Sequence, residues 1–271
     1  MARHPVGLAL DRRLLRGPVQ LHDREPVLQG PPLVQRSQLS GRLRARWVVA
    51  AAVAVVAAGV AVTAVVIARP GEPPGCDDIR AYQQQYGEIE TLGSGPDGVT
   101  VLGDSYSAGD TLDDRGHRWT DVLVELDPEV TVTLDAVPFT GYANRGACGP
   151  NSFVDRIARA ASEGETLIIQ GGLNDVFARA TTLEAAVDEV FGAADVADAV
   201  VVIGPLDVPA RDGEVQVDAA LRTAAEEHGF VYVSALEWEI PIAEDGVHPT
   251  EAGDRRYAER VRDELADARL P

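Results

Sequence analysis

Cysteine is scarce, with two residues in 271, too few for the multi-disulfide scaffold that small secreted domains use in place of a core. Aromatic residues make up 5% of the chain, so an extended apolar lid is not expected. The first 46 residues lack a sustained apolar period and hold nine Arg against three acids, a net charge of +6, with repeated Pro and Gly. Such a segment has nothing to bury and reads as a disordered tail. Internal repeats are missing, as is any other low-complexity tract.

Charge is absent from the 21 residues Trp47 to Ile67, where Val, Ala and Ile are interrupted only by Gly59 and Thr63. That length spans a bilayer as one helix. Arg42, Arg44 and Arg46 stand just before it, which keeps the N-terminus cytoplasmic and sends the remainder across. A single-pass signal anchor in the cell membrane is therefore expected. The alternative is a signal peptide cleaved near Val66-Ile67-Ala68 with secretion of the rest, but the run exceeds the usual apolar core of about 7–15 residues.

Residues 68–271 carry 15 Arg against 40 acids, net −25, which repels nucleic acid and anionic head groups. Cys76 and Cys148 both fall in this exported part. An oxidising compartment favours a bond between them, closing a loop of about 70 residues and contributing on the order of 4 kcal/mol. The alternative is two unpaired thiols, with Cys148 a small buried apolar residue.

Residues 68–97 are rich in Pro and Gly and read as a linker holding at most a short helix near Asp77 to Tyr86. From residue 98 onward short apolar runs alternate with segments of helical period. Val99–Leu102, Val130–Leu134, Thr166–Ile169, Ala199–Ile203 and Phe230–Val233 are expected as strands. Leu183, Val187, Val190, Phe191 and Ala194 form a helical stripe opened by a capping box at Thr181 and Glu184. Val217, Leu221 and Ala224 form another, stopped at His228-Gly229. A last helix starts from Thr250 as N-cap and buries Tyr257, Val261 and Leu265. The alternation implies a three-layer α/β/α sandwich on a five-stranded parallel sheet, residues 98–271, preceded by one transmembrane helix.

In such sheets sites lie beyond the carboxyl ends of the strands. Gly103-Asp104-Ser105 and Gly171-Gly172-Leu173-Asn174-Asp175 each follow an expected strand directly. Ser105 is a candidate nucleophile, although this tripeptide alone is equally a turn closing a strand. Its base must come from three histidines. His228 is a helix-end cation and His117 stands in a polar loop, whereas His248 in Asp245-Gly246-Val247-His248-Pro249 has a carboxylate three residues upstream to hold its Nδ1. Alone, that pentapeptide is also a helix-entry turn. Asn174 offers a side-chain donor for an oxyanion, and Asn144-Arg145-Gly146 a glycine N–H; each is otherwise a polar turn.

Gly103-Asp104-Ser105, Gly146, Gly172-Leu173-Asn174-Asp175 and Asp245-Gly246-Val247-His248 resemble, in order, the four sequence blocks of SGNH (GDSL-type) hydrolases, over about residues 98–265. The extended first block, Ser105-Tyr106-Ser107-Ala108-Gly109, is similar to secreted actinobacterial esterases and lipases. The resemblance implies an SGNH or flavodoxin-like fold, a Ser105-His248-Asp245 triad, and an oxyanion hole of Ser105 N–H, Gly146 N–H and Asn174 Nδ2. Gly141 and Gly149 are near enough to be the glycine instead. The chain departs from those lipases in having fewer cysteines, and its few aromatics fit a short-acyl esterase or glycan deacetylase better than a long-chain lipase. No metal or organic cofactor is implied. A monomer acting on a small-molecule, glycan or lipid ester is expected, the alternatives being an acyltransferase on cell-envelope sugars and an anchored binding module.

Overall fold

The structure, a computed structural model, describes residues 75–161 and 166–270. The chain divides into a unit Met1–Pro70 and a unit Gly71–Pro271; the tail and apolar run expected at 1–46 and 47–67 lie outside the described residues. Among those described, no helix is long and apolar enough to cross a membrane. The elements run α1 (Cys76–Tyr86), β1 (Glu90–Gly93), β2 (Asp97–Gly103), α2 (Ser105–Ala108), α3 (Trp119–Leu126), β3 (Val130–Ala136), α4 (Phe153–Ala160), β4 (Thr166–Gln170), α5 (Ala180–Ala194), β5 (Ala199–Ile203), α6 (Glu214–His228), β6 (Val231–Val233) and α7 (Glu251–Asp267).

The sheet has six strands in the order β1-β3-β2-β4-β5-β6. Five pair in parallel, as the alternation of strands and helices predicts, but β1 joins the edge antiparallel to β3. The five-stranded, all-parallel expectation is corrected by this strand, which lies inside the segment read as a linker. The Pro and Gly there turn the chain back after four residues. Gly95 crosses so close to Glu129 that a Cβ would sit 2.0 Å from its carbonyl, and the start of β2 is fixed there by Asp97 N–H donating to Glu129 O at 2.9 Å.

Within the sheet, side chains alternate between two cores, as period-two strands require. Val99, Val101, Ile168, Val201 and Ile203 face α3 and α7 through Trp119, Leu123, Tyr257 and Val261. Leu102, Leu167, Ile169, Val200 and Val202 face α4, α5 and α6 through Phe153, Ile157, Val187, Phe191 and Leu221. These are the three layers.

Two helix ends match expectation. Gly229 adopts φ 74° and closes α6 onto Ala225 and Glu226, and Thr250 accepts the Gly253 N–H at the start of α7. The capping box expected at Thr181 and Glu184 is not formed, because α5 already starts at Ala180 with Arg179 at its N-cap and no side-chain cap bond. Once the turn preceding Thr181 is helical, its hydroxyl has no cap position to fill.

The first turn of α3 is capped from α7, where the buried Asp254 accepts the Trp119 N–H at 3.0 Å. Burial pushes the Asp254 carboxyl up to about 8, against the pull of that hydrogen bond. The folded chain thus keeps a proton that the unfolded chain releases near pH 4. Stability from this group therefore falls between about pH 4 and pH 8, by up to about 1.4 kcal/mol per unit. Asp254→Asn, whose amide oxygen can still accept from Trp119, is expected to flatten that fall. Melting temperatures that decline over this range identically in both proteins would refute the account.

Candidate active site

All the clusters singled out by sequence lie at the carboxyl edge of the sheet. Ser105 is the first residue of α2, immediately beyond β2, and Asp104 caps that short helix by accepting the Tyr106 N–H at 3.0 Å. Burial pushes the Asp104 carboxyl up to about 6, opposed by hydrogen bonds from Tyr106 N–H and Gln170. As the first helical residue, Ser105 has a backbone N–H with no acceptor inside the helix.

His248 and Asp245 stand on the loop that enters α7. Ser105 Oγ is 3.2 Å from His248 Nε2, and His248 Nδ1 is 2.5 Å from Asp245 Oδ2. Asp245 Oδ1 accepts the N–H groups of Val247 at 2.9 Å and His248 at 3.0 Å, so one carboxylate shapes the turn and orients the ring. Desolvation would raise its pKa, but hydrogen bonds from the His248 ring and these two N–H groups hold it down at about 2. Ser105 is 5% exposed and His248 8%, so the base meets its partner largely out of water.

Tyr106, to which the sequence assigns no role of its own, supports this loop from the nucleophile side. Its hydroxyl donates to Val247 O at 2.6 Å, and its ring meets that of His248 edge-on at 5.9 Å. Only the adjacency of Tyr106 to Ser105 was visible in the sequence, and nothing there indicates a bond spanning 141 residues.

The donors implied by resemblance are placed less uniformly. Asn174, in the turn Leu173–Asp175 beyond β4, spends one Nδ2 hydrogen on Thr140 O at 2.9 Å and keeps the second. Gly146 has φ 72°, but its N–H donates to Asn144 Oδ1 at 3.0 Å. The Gly141 N–H donates to Asn144 O at 2.9 Å. Both glycine N–H groups are therefore engaged within their own turn.

That turn is organised by Asp175, a second residue whose role was not legible. Its buried carboxylate accepts the N–H groups of Tyr142 at 2.8 Å, Ala143 at 3.0 Å and Asn144 at 2.9 Å. A Cβ at Gly141 would fall 2.1 Å from Asp175 Oδ2, which explains a glycine there. Arg156, 2% exposed, binds the same region from below, donating to Asp135, Gly103 O, Thr140 Oγ1 and Asn151 O.

Cys76 and Cys148 are bonded, which ties α1 to the loop after β3. Beside Asn174 opens a cleft of about 390 Å³ whose walls include Phe139, Asn144, Leu173, Phe177 and Arg211, with Asp78 and Ala147 flanking the disulfide. Phe139 is held at φ 63°, a left-handed conformation costing a bulky residue about 1–3 kcal/mol, and Phe177 is 82% exposed. Among the described residues no group of three or more His, Cys, Asp or Glu is arranged to hold a metal ion.

Of the three histidines, only His248 meets the nucleophile. His228 pairs with Asp195 at 3.0 Å and the exposed His117 with Glu251 at 3.1 Å.

No curated protein matches the chain in sequence. Among solved structures it is similar to Est24, a carbohydrate acetylesterase from Sinorhizobium meliloti, with TM-score 0.55 and 17% identity over 64% of this chain and 99% of that one. A protein from Lactobacillus plantarum matches with TM-score 0.54 and 15% identity over 64% of this chain and 98% of that one. Residues 101–256 match the family described as GDSL-like Lipase/Acylhydrolase. With β3 to β6 inside that match and β2 and α7 reaching into it, the chain belongs to the GDSL-like lipase/acylhydrolase family of ester hydrolases.

Proposed function

We propose that the protein is an extracytoplasmic serine esterase that removes short acyl groups through an acyl-enzyme. The observation that carries this reading is the continuous chain Ser105 Oγ, His248 Nε2, His248 Nδ1, Asp245 Oδ2. His248 takes the Ser105 proton as Oγ attacks the ester carbonyl, then returns it to the departing alkoxide, leaving Ser105 acylated. A water then gives its proton to His248, attacks the acyl carbon and releases the acid, and the proton returns to Ser105. Asp245 keeps the ring in the tautomer that accepts at Nε2 and stabilises the imidazolium.

The developing oxyanion is met by Ser105 N–H and the second hydrogen of Asn174 Nδ2, each worth about 3–4 kcal/mol in the transition state. Gly146 N–H joins them once Asn144 releases it. A short acyl group, acetyl foremost, suits a site with few aromatics, and the acetylesterase fold-mate makes O-acetylated glycans a natural first substrate class. Location outside the cytoplasm is supported by the Arg-flanked apolar run and by the Cys76–Cys148 disulfide.

The test is turnover of p-nitrophenyl acetate and butyrate, together with labelling by a fluorophosphonate. The expected result is hydrolysis faster on acetate and a single adduct on the peptide carrying Ser105. Unlabelled, inactive but folded protein would overturn the reading.

A further inference from the structure

Fifteen arginines face 40 acids from residue 68 onward, and acids take up most of those that are not fully exposed. Arg115, Arg118, Arg156 and Arg159 all meet carboxylates. Among the described arginines that are not exposed, Arg211 alone meets none. Its side chain donates to the neighbouring carbonyl of Ala210 at 3.0 Å. Asp78, the acid of the same cleft, forms no ion pair with it.

Its position joins the two halves of the site. Ala210 N–H donates to Gly246 O at 3.0 Å, which packs the Arg211 loop on the turn holding Asp245 and His248. Arg211 lines the cleft beside Asn174, with Phe139 and Phe177. At about 390 Å³, that cleft is the size of a small-molecule site and more than an acetyl group fills.

We propose that this cleft is the subsite for the leaving alcohol and takes a ring bearing an anionic group, carboxylate or phosphate. The two phenyl faces pack against the ring, and the planar guanidinium gives the anion paired donors. In a domain whose net charge otherwise repels anions, Arg211 selects them at one place. The proposal rests on the esterase reading above and names the substrate class of that same site.

The test compares wild type, Arg211→Gln and Ser105→Ala on acetyl esters of three phenols: 4-hydroxybenzoate, 4-hydroxyphenyl phosphate and the neutral 4-hydroxybenzamide. The ratio of kcat/KM for an anionic ester over the neutral one is expected to be at least about ten-fold higher in wild type than in Arg211→Gln, mainly through KM. The carboxylate and phosphate arms tell which anion is taken. Inhibition of the wild-type protein by 4-hydroxybenzoate against 4-hydroxybenzamide reads the same preference without a substitution. Equal ratios and equal inhibition would overturn the subsite and leave the esterase standing. Absence of Ser105-dependent turnover on all three esters would remove both.

Discussion

Replacing Ser105 by Ala is expected to lower kcat on p-nitrophenyl acetate by roughly 10⁴–10⁶-fold, and His248→Ala by a similar factor, because members of a triad act as a unit. The double variant should be no worse than either single one. Once Oγ is gone His248 has no proton to take, and once the ring is gone Oγ remains a weakly nucleophilic hydroxyl. Asp245→Asn should cost less, roughly 10³–10⁴-fold, since it leaves both reacting groups and disturbs only ring orientation and tautomer. Multiplicative losses in the Ser105, His248 double variant, measured by single-turnover kinetics, would mean that the two side chains work independently.

The second large effect is expected at a residue that touches no substrate. Asp175 holds the N–H groups of Tyr142, Ala143 and Asn144. Burial raises its pKa, against the pull of those three bonds. Asp175→Ala leaves three donors without an acceptor beside a new void. Each stranded donor costs about 1–3 kcal/mol, so a loss of stability of about 3–5 kcal/mol is expected after partial relaxation. Thr140, which fixes the Asn174 amide by accepting from Nδ2, sits at the start of the released turn. The kcat should therefore fall roughly 10²–10³-fold, the effect of losing one oxyanion donor. Denaturant unfolding read beside kcat checks both parts. A variant as stable as wild type, or destabilised but with unchanged kcat, would show that the turn is held by something other than this carboxylate.

Why some of this was legible and some was not follows from the range of the interactions. The strands β2 to β5 announced themselves because buried parallel strands are short apolar runs bounded by turns. Ser105, His248 and Asp245 were findable because each sits in a local signal: a Gly-Asp-Ser turn after a strand, and an Asp three residues before a His. β1 escaped because Glu90–Gly93 is an edge strand with little apolar content, embedded in Pro and Gly that read equally as linker. Tyr106 and Asp175 escaped for a different reason. Their partners, Val247 O and the 142–144 backbone, are peptide groups distant in sequence, and a backbone acceptor or donor leaves no mark on residue identity. The Gly146 assignment shows the same limit from the other side, since a motif position does not reveal that the N–H is already bonded to Asn144.

The two outer strands have a further consequence for how the protein behaves when crowded. A sheet edge offers unpaired N–H and C=O groups to any other chain, and long flat edges invite fibrils. Here one edge is four residues long and the other three. Glu90 opens the first with a charge clamped by Arg115 and Arg118, and Gly93 at φ 79° ends it. Neither strand is long enough to template a neighbour, and the acidic surface adds mutual repulsion between copies. The fold therefore resists self-association through its sheet at high local concentration.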